Sequence, residues 1–172
     1  METHDFKPNA GPGRRSFFAI AAGSFLATAF PALARGREPA VLFICQAGTV
    51  KSAIAREMMR RSAAARGIDI NVFSRGIAPA MHLSPKLRAA LQGEGLDPDR
   101  QPLTRLRRSD IERADIVVFF DPLPFAIRSR RVYDWTDTGS LNESYSVEGP
   151  RLAKRIEKLV EEIADGKLPA PG

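Results

Sequence analysis

The most informative stretch of the chain is VLFICQAGTVKS, residues 41–52. Its first residues are apolar, as in a buried strand, and they lead into Cys45, the chain's single cysteine. A short loop with Gly48 follows, and helix-forming residues begin at Lys51 and Ser52. The pattern predicts a strand, a tight loop and a helix N-terminus, with a thiol at the entrance to the loop. A helix N-terminus has unpaired N–H groups and a partial positive charge, so it can bind a phosphate-like anion and favour a nearby thiolate.

Strand-like and helix-like segments alternate through the rest of the chain. Apolar or alternating runs predict strands at residues 41–44, 68–74, 116–120 and 130–135. Helical spacing and capping residues predict helices at residues 52–66, 84–93 and 109–113, and a final amphipathic helix that begins at residue 148. This order predicts one α/β domain with a parallel sheet. Ligands bind such sheets at the carboxyl ends of the strands, which is where Cys45 lies.

Composition is ordinary for a globular protein and excludes several kinds of site. The chain has 172 residues, of which 44% are hydrophobic and 27% charged, enough for one domain with a core. The net charge is +6, but the arginines are scattered, so we expect anionic ligands and no nucleic acid. A single cysteine excludes an internal disulfide. With only His4 and His82 as histidines, we expect no metal site and no cofactor.

Residues 1–34 have the features of an export signal. A pair of arginines, Arg14 and Arg15, precedes a moderately apolar run at residues 17–34. The run ends in Ala-Leu-Ala, a small-x-small cleavage pattern, and the paired arginines resemble the bacterial twin-arginine signal. We therefore expect export to the periplasm by the twin-arginine machinery and a mature domain of residues 35–172 without a stable membrane span. An uncleaved membrane anchor is the alternative.

Short motifs follow one another from about residue 40 to residue 165. They are the stretch from Val41 to Cys45 with Lys51-Ser52, then Ser74-Arg75-Gly76, Gly95-Leu96-Asp97, Ala114 to Val118 ahead of Asp121, and a tryptophan segment with Asp137. In this order they resemble the low-molecular-weight protein tyrosine phosphatase family, which includes thioredoxin-coupled arsenate reductases. The resemblance implies a four-stranded parallel sheet flanked by helices, and a nucleophilic cysteine in a Cys-x5-Arg-Ser/Thr loop.

The resemblance also implies roles for individual residues. Cys45 matches the catalytic nucleophile, and Ser52 matches the serine whose hydroxyl steadies the thiolate. Asp137 matches the general acid by its position after the tryptophan, with Asp134 as the alternative, and Asp121 matches an acidic residue with a structural or positioning role. The residues of the intervening loop would bind the phosphoryl group through their N–H groups: Gln46, Ala47, Gly48, Thr49, Val50 and Lys51.

The chain departs from the family pattern at several positions of the expected site. Lys51 stands where the family has arginine, and a lysine offers one mobile charge where an arginine binds two oxygens with a rigid fork. Ala47 and Gly48 replace a Gly-Asn step, and Thr138 replaces the proline after the general acid. The extra cysteines that thioredoxin-coupled arsenate reductases use as a relay are missing.

These residues lead to one expected function and two alternatives. The resemblance implies a cysteine-dependent phosphatase that acts through a phosphocysteine intermediate on phosphate, arsenate or phosphotyrosine-like anions. The first alternative is an exported oxyanion-binding pseudophosphatase with weak or no catalysis, which the departures at Lys51 and Thr138 favour. The second is a single-cysteine arsenate reductase that uses an external thiol.

Overall fold

Parallel strands form a sheet at the centre of the structure. The computed structural model describes residues 38–127 and 131–166, and the predicted signal peptide, residues 1–34, lies outside the described residues. The strands are β1 (Ala40–Cys45), β2 (Asn71–Gly76), β3 (Ile116–Phe119) and β4 (Arg131–Asp134). Their order in the four-stranded sheet is β2-β1-β3-β4, and each neighbouring pair is parallel.

Helices cover both faces of this sheet. They are α1 (Lys51–Ala65), α2 (Pro85–Gly93), α3 (Arg108–Arg113) and α4 (Leu141–Ala164), with a short 3-10 turn at Pro98–Arg100. The apolar sides of α1, α2 and α4 share one core with Val41 and Phe43 of β1. Helix α3 packs with Leu42 and Ile44 on the opposite face. The structure confirms the predicted α/β fold, a four-stranded parallel sheet flanked by helices.

Strand β1 determines where a ligand can bind. All of its residues are buried, as expected for a strand with helices over both faces. The chain leaves β1 toward β2 on one side and later returns to β3 on the other, so the connections diverge at the carboxyl end of β1. Such a switch point leaves a crevice at the sheet edge. Cys45 is the last residue of β1 and lies at this point.

The last helix begins earlier than the sequence pattern predicts. We expected a start at Glu148 because proline is favoured in the first turn of a helix, and Pro150 follows there. Helix α4 instead begins at Leu141, and Ser144 has a non-helical conformation (φ −129°, ψ 39°) that joins two helical segments. Leu141 is 1% exposed, so burial of this side chain accounts for the earlier start, which the proline signal concealed.

Strand β2 also differs from its predicted limits. It begins at Asn71 rather than Ile68, because the parallel ladder with β1 starts where Ala40 faces Asn71 and ends where Cys45 faces Gly76. Ile68 and Ile70 precede the strand and pack against the core as partly buried side chains. Pairing, which the local pattern does not report, therefore sets these limits. Across the described ranges 38–127 and 131–166, no helix is long and apolar enough to cross a bilayer.

Candidate active site

The loop between β1 and α1 folds back over the sulfur of Cys45. The Gly48 N–H donates a hydrogen bond to Cys45 Sγ at 3.1 Å, and Ser52 Oγ lies 3.0 Å from the same sulfur. Cys45 is 3% exposed and Ser52 is fully buried. Helix α1 begins immediately after this loop, so its N-terminal end lies close to the sulfur. The structure thus brings the Cys45 sulfur and the Ser52 hydroxyl into contact.

Gly48 allows the loop to close tightly. Its φ of +78° lies in the left-handed region that side chains rarely adopt. A Cβ at this position would lie 2.9 Å from the backbone of Gly76 and 2.8 Å from Leu103 Cδ1. Conversely, a Cβ on Gly76 would lie 2.9 Å from the carbonyl oxygen of Ala47. The loop therefore depends on glycine at both sides of its contact with the end of β2.

The segment after β2 braces the same loop. The amides of Ala78 and Ala80 donate to the carbonyls of Gln46 and Ala47 at 2.9 and 3.1 Å. Thr49 is 5% exposed, and its hydroxyl donates to the carbonyl of Ala80 at 2.9 Å. These bonds use carbonyl groups of the loop and leave its amides for other acceptors.

The amides of the loop divide into two groups. The Gln46 N–H donates to Asp121 Oδ2 at 2.7 Å, and the Gly48 N–H donates to Cys45 Sγ. Within the described part of the chain, no acceptor takes a hydrogen bond from the remaining predicted donors, the N–H groups of Ala47, Thr49, Val50 and Lys51. Consecutive unpaired amides at the start of a helix form a site that suits an oxyanion. The Asp121 carboxylate binds the loop at the point where the loop leaves β1.

A cavity of about 310 Å³ opens onto the sulfur of Cys45. The predicted binding residues Gln46, Ala47, Val50 and Lys51 line it, whereas Gly48 and Thr49 line a separate pocket behind the loop. Lys51 is half-buried. Its ammonium group is the cation of this cavity among the described lining residues, so it can offset the charge of a bound oxyanion. The remaining lining residues are His82, Asp121 and the segment from Thr138 to Asn142.

Two residues at the cavity were not identified as site residues from the sequence. His82 is exposed and lies at the cavity wall. Asn142 of α4 binds the loop that contains His82. Its side-chain N–H group donates to the carbonyl of His82 at 2.7 Å, and its side-chain oxygen accepts from the backbone amide of Ser84 at 2.9 Å. Sixty residues separate the Asn142 and His82 partners. No local pattern signals a contact over that distance.

The two candidate general acids each bind a partner outside the Cys45 cavity. Asp137 forms an ion pair with Arg155 of α4, whose Nη1 lies 2.7 Å from Asp137 Oδ1. Asp134 accepts from the amide and hydroxyl of Thr136 at 2.9 and 2.7 Å. Neither carboxylate lines the Cys45 cavity in the described structure, although Thr138, the neighbour of Asp137, does.

These partners also lower the pKa values of both carboxyl groups. Hydrogen bonds from Arg155 lower the pKa of Asp137, and hydrogen bonds from Thr136 lower the pKa of Asp134. A general acid must carry a proton before it can donate one. In this arrangement the ion pair with Arg155 therefore holds Asp137 in its charged form, which is unsuitable for donating a proton.

The site contains no arrangement suited to a metal. Within residues 38–127 and 131–166, no group of three His, Cys, Asp or Glu side chains is placed to hold a metal ion. The chemistry that the described residues can supply is a buried sulfur nucleophile, a set of amide donors, one lysine, and carboxylates nearby.

The fold resembles several solved structures. The YwlE mutant from Bacillus subtilis is 17% identical with a TM-score of 0.62, over 74% of this chain and 99% of that one. YfkJ from Bacillus subtilis is also 17% identical, with a TM-score of 0.58 over 77% of this chain and 96% of that one. An arsenate reductase in its phosphate-binding state is 21% identical, with a TM-score of 0.57 over 73% of this chain and 98% of that one. At these identities the likeness concerns the fold.

Sequence comparison gives the family. No curated protein matches the chain significantly. The family model described as low molecular weight phosphotyrosine protein phosphatase matches residues 40–126. This match includes the Cys45 loop, β2, β3 and Asp121, and it ends before Asp134 and Asp137. The match spans half of the 172 residues, and its loop has the geometry described above. The chain therefore belongs to the low molecular weight phosphotyrosine protein phosphatase family.

Proposed function

We propose that the protein hydrolyses phosphate monoesters of the phosphotyrosine type through a phosphocysteine intermediate. The Cys45 thiolate attacks phosphorus, the S–P bond forms, the P–O bond to the leaving group breaks, and a carboxyl group gives its proton to the leaving oxygen. Water then attacks phosphorus and gives a proton to the same carboxylate. The S–P bond breaks, which releases inorganic phosphate and restores the thiolate.

The observation that carries this proposal is the position of Cys45 Sγ. It is buried at the end of β1, accepts a hydrogen bond from the Gly48 amide and contacts the Ser52 hydroxyl. Ala47, Val50 and Lys51, whose amides are unpaired in the described structure, line the same cavity. A phosphoryl group beside the sulfur would have its equatorial oxygens among these donors, where they stabilise the charge of the transition state.

Asp137 remains the proposed general acid. Its neighbour Thr138 lines the cavity, so rotation of the Asp137 side chain away from Arg155 would turn the carboxyl group toward the leaving oxygen. Asp134 lies at the end of β4 and is the alternative. Replacing each by asparagine shows which one is the acid. Loss of the general acid should lower turnover more for substrates with poor leaving groups than for activated aryl phosphates.

Two other functions have specific support. The ion pair of Asp137 with Arg155 and the lysine at position 51 favour an oxyanion-binding protein with weak or no turnover. Structural similarity to an arsenate reductase favours arsenate as a substrate. In that reaction the Cys45 thiolate would displace hydroxide from arsenate. An external thiol would then attack Cys45 Sγ, which releases arsenite and leaves a mixed disulfide that a second thiol reduces.

Steady-state hydrolysis distinguishes these functions. We expect the full chain to release phosphate from an aryl phosphate and from a phosphotyrosine peptide, and the Cys45→Ser variant to release none. Phosphate binding without hydrolysis would contradict the phosphatase and support the binding protein. Consumption of a small thiol that depends on arsenate and on Cys45, with no aryl phosphate hydrolysis, would support the reductase.

We also propose that the protein works outside the cytoplasm, which the arginine pair and the Ala-Leu-Ala pattern at the end of residues 1–34 support. The native protein should begin near Arg35, and Edman sequencing of material from a periplasmic fraction checks this. An intact Met1 on a cytoplasmic species would contradict export.

A further inference from the structure

A second groove lies beside the Cys45 cavity. Its volume is about 500 Å³ and its lining is strongly cationic. The lining residues are Asp137, Thr138, Glu148, Arg151, Leu152, Lys154, Arg155 and Lys158. Four of these eight side chains carry positive charge and two carry negative charge, so the groove has a net charge of +2. Such a surface favours an anionic partner.

All the cations of this groove come from one face of α4. Arg151, Lys154, Arg155 and Lys158 follow the i, i+3, i+4, i+7 spacing, which places them side by side along the helix. The apolar residues that intervene, such as Leu152 and Ile156, point into the core and hold α4 against the sheet. The cationic face is therefore presented on a fixed helix.

Carboxylates of the chain itself already bind part of this face. Arg151 Nη1 lies 2.8 Å from Glu148 Oε1, and Arg155 pairs with both oxygens of Asp137. Lys154 and Lys158 are exposed, and no carboxylate of the described residues forms an ion pair with either. The two arginines of the groove thus already pair with carboxylates of the chain, whereas its two lysines have no such partner among the described residues.

The groove and the Cys45 cavity share a wall. Thr138 lines both of them, and Gly139, which lines the cavity, donates its amide to Glu148 Oε2 in the groove at 3.2 Å. A substrate peptide whose phosphorylated side chain enters the Cys45 cavity would therefore continue across residues 137–139 into the groove. Each residue of an extended peptide advances about 3.3 Å, so a few residues are enough to reach from one site to the other.

We propose that this groove binds the acidic residues that flank the phosphorylated residue of a peptide substrate. The inference depends on the proposed function, because it names the substrate class of the same site. Carboxylates are favoured over other anions because Asp137 and Glu148 already occupy the arginines of the groove. An incoming carboxylate would bind Lys154 and Lys158 and compete with Asp137 for Arg155. That competition would release Asp137 toward the Cys45 cavity.

Peptide binding to the full chain tests this inference. The probes are phosphonate analogues of phosphotyrosine peptides, which cannot be hydrolysed, with three flanking acidic residues on one side, on the other side, or replaced by their amides. We expect one acidic peptide to bind about tenfold more tightly than the amide peptide at low salt, since three exposed ion pairs add modestly to affinity. The difference should disappear at about 0.5 M salt, where exposed charges are screened.

Lysine variants locate the effect. Lys154→Gln and Lys158→Gln should each reduce the ratio of the two dissociation constants by about threefold, whereas Lys86→Gln, an exposed lysine of α2 outside the groove, should leave the ratio unchanged. Equal binding of acidic and amide peptides would overturn the inference, and so would an acidic preference that survives both groove variants. The test measures binding and not hydrolysis. A protein without phosphatase activity would therefore refute the proposed function, but the binding result could still be interpreted.

Discussion

The two walls of the Cys45 cavity are held in place by different forces. On one side, residues 45–52 are fixed by burial, by a glycine contact between Gly48 and Gly76, and by hydrogen bonds from residues 78–82. On the other side, Trp135 and Thr138 are buried, but the Asp137 side chain between them is held at the surface by its ion pair with Arg155. The Asp137 side chain is 64% exposed and Arg155 is 37% exposed.

The difference distinguishes the groups that catalysis requires in fixed positions from the groups that can change position. A nucleophile and its amide donors act only if their positions are set before the substrate arrives, and buried contacts set them. Exposed ion pairs contribute little to stability and can exchange partners. The Asp137 side chain, next to the cavity residue Thr138, is therefore the group that a substrate can displace.

The largest expected effect is on the fixed wall. Cys45→Ser keeps the size of the side chain but replaces the thiolate with a hydroxyl group that stays protonated at neutral pH, so turnover should fall to background. The variant should keep its affinity for phosphate, because the donors of residues 46–51 are unchanged. Turnover is measured by phosphate release and affinity by calorimetry. Residual turnover above background in Cys45→Ser would show that another group is the nucleophile.

Lys51 gives the next largest effect. Lys51→Ala removes the cation of the cavity and should lower kcat/KM about 100- to 1000-fold, as for the loss of one oxyanion contact. Lys51→Arg should raise turnover, because the arginine fork binds two phosphoryl oxygens. Both variants are compared with wild type in kcat/KM and in phosphate Kd. An unchanged rate and affinity in Lys51→Ala would show that Lys51 is not a ligand.

The glycine contact can be broken separately from the chemistry. Gly48→Ala places a Cβ 2.8–2.9 Å from Leu103 and Gly76 on a left-handed backbone, so the free energy of unfolding should fall by about 2–4 kcal/mol. Gly67→Ala is the matched control, since Gly67 has φ +65° and no atom within 4 Å of an added Cβ. It should cost about 1 kcal/mol, which is the conformational part alone. Urea unfolding measures both, and equal losses would show that the contact between Gly48 and Gly76 adds nothing.

The sequence predicts the fixed wall well because that wall is local. Strand, loop and helix are contiguous between Val41 and Ser52, so apolar spacing, one glycine and a helix start are enough to place Cys45 at the entrance to the loop, while the resemblance implied its contact with Ser52. The predicted sheet follows from the same kind of pattern. Helix α4 was placed too late because Pro150 is a strong local signal, while the burial of Leu141 depends on the assembled core.

The ion pair between Asp137 and Arg155 could not be predicted in the same way. Asp137 and Arg155 are 18 residues apart, and their pairing depends on how α4 packs after β4. The resemblance that suggested Asp137 as the acid says nothing of a competing arginine. Sequence therefore identifies the residue type needed for proton transfer, and only the structure shows which partner holds it.

The smallest effect we predict concerns this partner. Hydrogen bonds from Arg155 lower the pKa of Asp137, so Arg155→Gln should raise that pKa toward its ordinary range. A general acid works only while protonated, so the rate falls as pH rises through its pKa, and the variant should keep its rate to a higher pH. With an aryl phosphate whose aryl group is uncharged, turnover of the variant on the alkaline side of the pH profile should exceed that of wild type. Arg88→Gln, which breaks the exposed pair with Asp99 on another part of the surface, is the control and should not shift the alkaline limb of the pH–rate profile. If Arg155→Gln leaves the pH profile in place while Asp137→Asn lowers turnover, the ion pair does not restrain the acid. If neither variant changes the profile, Asp137 is not the acid.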